Sequence, residues 1–205
     1  MLTLGIISPH PPIIIPEIGQ DRPDFHLVKP TIEALEIVAK KIGEKSPDKI
    51  IIISPHEKHG FDVPLYYLSK HVKPQVIIEK ILVDKPSYKY YYDLGKNYDN
   101  IHNNQQKIVV IASGDLSHVL KKDGPYGFNE NGPILDKIIA DAIKQKNPEL
   151  LLNIPNEIIN EGAECGLRSI LFLLGVFHQT KYNSNILSYQ SPYGIGYLTA
   201  IFEPI

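Results

Sequence analysis

Cysteine occurs once in the 205 residues, as Cys165, and tryptophan not at all. A single cysteine cannot close an internal disulfide, so a reducing compartment is expected and the fold must hold by packing. A chain of this length buries roughly 70% of the surface its unfolded form exposes, enough to fold without a structural metal. Long apolar runs are also missing, none reaching the about 18–20 residues that a membrane span requires. The first apolar segment is broken by Pro9, Pro11, Pro12 and Pro16 and carries no basic leader, so it does not read as a signal peptide. Neither sign of charge dominates: the formal net charge is -2. Basic pairs such as Lys40-Lys41 and Lys121-Lys122 read as solvated faces, so neither nucleic acid nor an anionic membrane is an expected partner. The expectation is one cytoplasmic domain over residues 1–205.

What is present is an alternation. Apolar, β-branched runs predict strands at Leu2–Ile7, Lys49–Ile53, Val76–Val83 and Lys107–Ala112, with two more at Ile186–Tyr189 and Gly196–Phe202. Between them, Ile32, Leu35, Val38, Ala39 and Ile42 fall on one face of a helix over Thr31–Lys45. Helices are also expected from Pro64 to His71, Ser87 to Asn97, Pro133 to Lys146 and Cys165 to Phe177, with helical turns at Pro148–Asn153 and Asn156–Asn160. The polar stretch Asn97–Gln106 reads as a loop. Tyr88, Tyr90, Tyr91 and Tyr92, among 12 tyrosines, suggest a partly exposed helix with aromatic packing. Strands alternating with helices give an α/β fold, a mostly parallel central sheet flanked by helices on both faces.

One tripeptide occurs twice. Ser8-Pro9-His10 follows the first apolar strand and Ser54-Pro55-His56 follows the second; the fourth leads into Ser113-Gly114-Asp115-Leu116-Ser117-His118. Ligands of an open α/β sheet sit outside the carboxyl ends of its strands, so a metal site is expected there. The prolines stop the strands and stiffen the loops that carry the imidazoles. His59, three residues past His56, could reach the same pocket, whereas His26, His71, His102 and His178 sit in polar or terminal contexts. Two imidazoles need a further ligand, and three candidates are open. Glu164 stands just before a long apolar helix, where it could equally oppose the helix dipole. Asp115 shares a loop with His118. Cys165 would favour softer metals. Two imidazoles and a carboxylate suit Fe(II), Zn²⁺ or Mn²⁺.

Taken in order, Ser-Pro-His-Pro-Pro, the second Ser-Pro-His, Ala-Ser-Gly-Asp-Leu-Ser-His, Asp123-Gly124-Pro125-Tyr126-Gly127 and Glu-Cys-Gly-Leu-Arg-Ser resemble the class III extradiol ring-cleavage dioxygenases. More narrowly, they resemble the subunit-B-type domain of the AmmeMemoRadiSam system protein A group. The resemblance implies Fe(II) held by His10, His56 and Glu164, with His118 and His59 as catalytic groups and Asp115 and Ser113 on the substrate side. Its substrates would be a catechol-type diol and O₂, and its partners a second copy of the chain or other proteins of that system, including a radical SAM partner. Relatives carry a long stretch between the second Ser-Pro-His and the His-Gly segment, where only Glu57 and Lys58 stand here, so a pocket more open than is usual in the family is expected. Two rival readings are a Memo-like metal- or partner-binding scaffold without dioxygenase activity and a Zn²⁺-dependent hydrolase.

Overall fold

A computed structural model describes residues 1–98 and 105–205. In chain order they form strand β1 (Leu2–Ser8), helices α1 (Pro16–Gly19) and α2 (Lys29–Lys45), strand β2 (Lys49–Ser54), helix α3 (Lys58–Leu68), strand β3 (Ile77–Leu82), helix α4 (Tyr88–Lys96) and strand β4 (Ile108–Ser113). Helices α5 (Asn131–Gln145), α6 (Glu149–Leu152), α7 (Asn156–Gly162) and α8 (Leu167–Val176) follow, then strands β5 (Tyr182–Gln190) and β6 (Tyr197–Pro204). The loop expected over Asn97–Gln106, His102 included, falls largely outside the described residues. Among those described, no helix is long and apolar enough to cross a membrane.

The six strands make one sheet in the order β3-β2-β4-β1-β6-β5. β1 to β4 are parallel, and β6 runs antiparallel to both β1 and β5. The mostly parallel sheet agrees with the alternation in the sequence. The antiparallel direction of β6 does not show in it, because a strand buried on both faces has the same apolar signature in either direction. The run Ile50–Ile53 is continuous because both faces of β2 are covered. Ile51 and Ile53 pack with Val110, Leu171 and Phe172, whereas Ile50 and Ile52 pack with Leu35, Val38 and Val109. Each such burial contributes about 1.5–3 kcal/mol.

β3 lies within the strand predicted over Val76–Val83, at the edge of the sheet, with its residues exposed or half-buried. One element differs from expectation. α3 starts at Lys58, and Pro64 lies inside it rather than opening it.

Register decides where the site lies. Ile7 of β1 and Ile53 of β2 both pair with Ala112 of β4, and Ser8 pairs with Ser113. The serines ending these three adjacent strands therefore sit at one level. With neighbouring strands about 4.8 Å apart, the loops carrying His10, His56 and Asp115–His118 leave the sheet side by side.

Candidate metal centre

His10 is buried and held by two hydrogen bonds. Its backbone N–H donates to Asp115 Oδ1 at 3.0 Å, and its Nδ1 lies 2.9 Å from Ser113 Oγ. Ser113 in turn donates its hydroxyl to the Gly60 carbonyl. That carbonyl is available because of Pro64. A residue four positions on in a helix normally donates its N–H there, and proline has none. The serine has one hydrogen and gives it to Gly60, so Nδ1 of His10 must be the donor to Ser113. His10 therefore presents Nε2 with its lone pair free, the tautomer a metal requires. Ser113, expected on the substrate side, is fully buried behind this ring; its contacts position His10.

His56 and His59 face each other across the short turn between β2 and α3, with ring centroids 5.0 Å apart. The reversal is made at Lys58, whose φ of 23° is rare for a side-chain-bearing residue. Both rings lie 5.2 Å from that of His10. A Cβ on Gly60 would stand 2.1 Å from Ser54 Oγ, so this glycine lets α3 begin against the end of β2. His59 is exposed, which opens the pocket to solvent on that side. His118 closes the other side, stacked on Tyr126 at 5.3 Å.

The segment before α8 supplies the remaining group. Ala163, in the left-handed region at φ 50°, ends α7 and turns the chain. The Gly166 N–H then donates to the Asp115 carbonyl at 2.9 Å. A Cβ on Gly114 would come within 2.2 Å of Gly166 Cα, so the two loops touch backbone to backbone. This contact brings Cys165 Sγ to 3.5 Å from His10 Nε2, where it accepts the Asp115 N–H at 3.3 Å.

Glu164, expected as the third ligand, is not brought to the cluster. Its carboxylate accepts the Tyr88 hydroxyl at 3.2 Å and the Leu167 N–H at the start of α8. That is the dipole-opposing role left open by the sequence. Adjacent residues in a turn point in different directions, so Cys165 faces the cavity while Glu164 turns towards Tyr88 and the start of α8. Tyr126, which no spacing argument singled out, also lines the cavity. Its signal was the glycine-flanked segment Asp123–Gly127 that it belongs to.

Four imidazoles, the Asp115 carboxyl and the Cys165 thiol thus surround a cavity of about 180 Å³. A larger recess of about 630 Å³ lies at the opposite, amino-terminal edge of the sheet, among Met1, Lys45 and Lys107, away from these groups. Every shift in the cluster favours the uncharged form. Burial, then His56, His59 and His118, push His10 down to about 3. Burial, then His56, lowers His118. Burial raises Asp115 to about 7 and pushes the Cys165 thiol up, with the Asp115 charge adding to the latter. A bound cation would reverse the carboxyl and thiol shifts.

The donors fit such a cation. Ligand atoms of His10, His56 and Cys165 all lie within 4.8 Å of one another. A nitrogen and a sulfur at ordinary bond lengths on one tetrahedral ion stand about 3.5 Å apart, which is the separation of His10 Nε2 and Cys165 Sγ, 3.5 Å. Imidazole and thiol donors suit Zn²⁺ or Fe(II) better than Mn²⁺.

A family model described as the catalytic LigB subunit of aromatic ring-opening dioxygenase matches residues 57–202. The Clostridium acetobutylicum protein CA_C1420 is 28% identical over 263 residues, covering 93% of this chain and 55% of that protein. The chain thus spans about half the length of that curated relative. The crystal structure of uncharacterized protein JW3007 from Escherichia coli K12 superposes with a TM-score of 0.59 at 13% identity. That match covers 97% of this chain and 99% of that one, and it speaks to the fold.

Proposed function

This chain belongs to the family of catalytic LigB subunits of aromatic ring-opening dioxygenases, and on that premise we propose that it is an Fe(II)-dependent extradiol enzyme opening a small catechol-type ring with O₂. The observation carrying this reading is the convergence of His10, His56, His59, His118, Asp115 and Cys165 on one small cavity at the strand ends. Its volume of about 180 Å³, below the roughly 300–1,000 Å³ of drug-sized pockets, suits a single ring.

His10, His56 and Cys165 would hold the metal, which when bound lowers the pKa of the diol hydroxyls. His118, neutral because burial lowers it, accepts a proton from a hydroxyl and returns one to the product. His59 donates a hydrogen bond to the oxygen on which negative charge develops. The Ser113 contact keeps the His10 proton on Nδ1, away from the cavity. The exposed side at His59 admits water, which weakens these electrostatic effects, so slow turnover is expected.

A thiol where two imidazoles would otherwise be joined by a carboxylate favours a second reading, a Memo-like metal-binding protein that does not cleave rings. The test is oxygen uptake by anaerobically purified, iron-loaded protein with a panel of catechols. Uptake with a yellow ring-opened product, lost in His118→Gln, supports ring cleavage. Full iron loading without uptake on any catechol rejects it in favour of the second reading.

A further inference from the structure

The cluster contains more donors than the first triad uses. Besides His10, His56 and Cys165, a second triad of Asp115, His118 and Cys165 has its ligand atoms within 4.8 Å of one another. We propose that the pocket binds two divalent cations, the second held by Asp115, His118 and the shared Cys165 sulfur, and that this second ion is inhibitory. The inference rests on the first triad being a metal site, as read above.

Three observations support it. The triads share only the sulfur, and a thiolate has the lone pairs to bridge two ions. Asp115 is buried with Oδ2 3.9 Å from His10 Nε2, so its carboxylate faces the cluster rather than solvent. Its Oδ1 is taken by the His10 N–H, which fixes the carboxyl plane and leaves Oδ2 for an ion. On the first triad alone, the buried carboxyl and the His118 ring meet no cation.

The consequence follows from His118. The lone pair with which it would accept a substrate proton is the one an ion would occupy, so the two uses exclude each other. A second cation beside the first is repelled by it, and the shared sulfur divides its charge between the two. That makes the second binding step weaker than the first and sensitive to free metal concentration.

The test is titration of chelator-stripped protein with Zn²⁺ and separately Co²⁺, read by calorimetry and by metal content after gel filtration. Two equivalents are expected in the native protein, the second weaker by at least about tenfold. His118→Gln and Asp115→Asn should each lose the second equivalent and keep the first, while His56→Ala should lose the first. In a parallel anaerobic titration with Fe(II), with catechol turnover as an added readout, activity should peak at one equivalent and fall towards the second. A native stoichiometry of one overturns the second site while leaving the first intact. A stoichiometry of zero overturns the metal reading itself. Two equivalents that persist in both His118→Gln and Asp115→Asn place the second ion elsewhere and overturn the assignment.

Discussion

Ser113→Ala removes one hydroxyl and breaks the relay from Pro64 to His10. Two polar groups then lose their partners, the Gly60 carbonyl and the Nδ1–H of His10. Each costs about 1–3 kcal/mol when buried and unsatisfied. In a domain of this size each kcal/mol lowers Tm by roughly 2–4 °C. His10 also no longer has a reason to keep its proton on Nδ1. Once the proton can sit on Nε2, the lone pair aimed at Cys165 is lost for part of the population. Loss of such a supporting contact typically weakens metal affinity about 10- to 100-fold, or about 1.4–2.7 kcal/mol. Competition with a chromophoric chelator measures this directly, and a thermal melt of the metal-free protein separates it from instability. Pro64→Ala is the companion variant. It supplies an N–H that competes with Ser113 for the Gly60 carbonyl, so metal binding should weaken while the fold stays stable. Affinity within twofold of native in both variants would refute the tautomer argument.

Gly114→Ala should destabilise by about 1–3 kcal/mol through overpacking, because its Cβ would stand 2.2 Å from Gly166 Cα; a denaturant midpoint equal to native would show that the loops part easily. Asp136 is buried, accepts the Ser117 N–H at 2.8 Å and the Tyr189 hydroxyl at 2.7 Å, and is raised by burial from 3.8 to about 6. The folded state therefore binds this proton more tightly than the unfolded one. Its penalty is absent below the unfolded value, grows as pH rises from the unfolded to the folded value, and levels off above that at about 3 kcal/mol. Asp136→Asn should flatten stability between about pH 4 and 6 relative to native, and denaturation curves with the same slope in both proteins would contradict this.

The sequence carried much of this site because strands covered on both faces must be apolar at every position. The runs Leu4–Ile7, Ile50–Ile53 and Ile108–Ala112 marked their own ends, and the repeated Ser-Pro-His placed two imidazoles beyond them. The order of strands, with β2, β4 and β1 side by side, then made three separate loops one site. The choice between Glu164 and Cys165 was not legible. It depends on the left-handed turn at Ala163 and on the contact of Gly114 with Gly166, which join segments far apart in the chain. Pro64 misled for a similar reason. Proline usually marks a helix start, but here the chain turns at Lys58, and the N–H that proline lacks frees the Gly60 carbonyl for Ser113.

We propose that Cys165, not Glu164, completes the ligand set with His10 and His56. Absorption of the Co²⁺-loaded protein tests it, since a thiolate ligand gives an intense near-ultraviolet charge-transfer band that nitrogen and oxygen ligands do not. One equivalent of Co²⁺ should produce that band in the native protein and in Glu164→Gln, and Cys165→Ala should lose it. A native protein that binds Co²⁺ without the band, and loses the metal in Glu164→Gln, would rule out Cys165 and return the third ligand to Glu164.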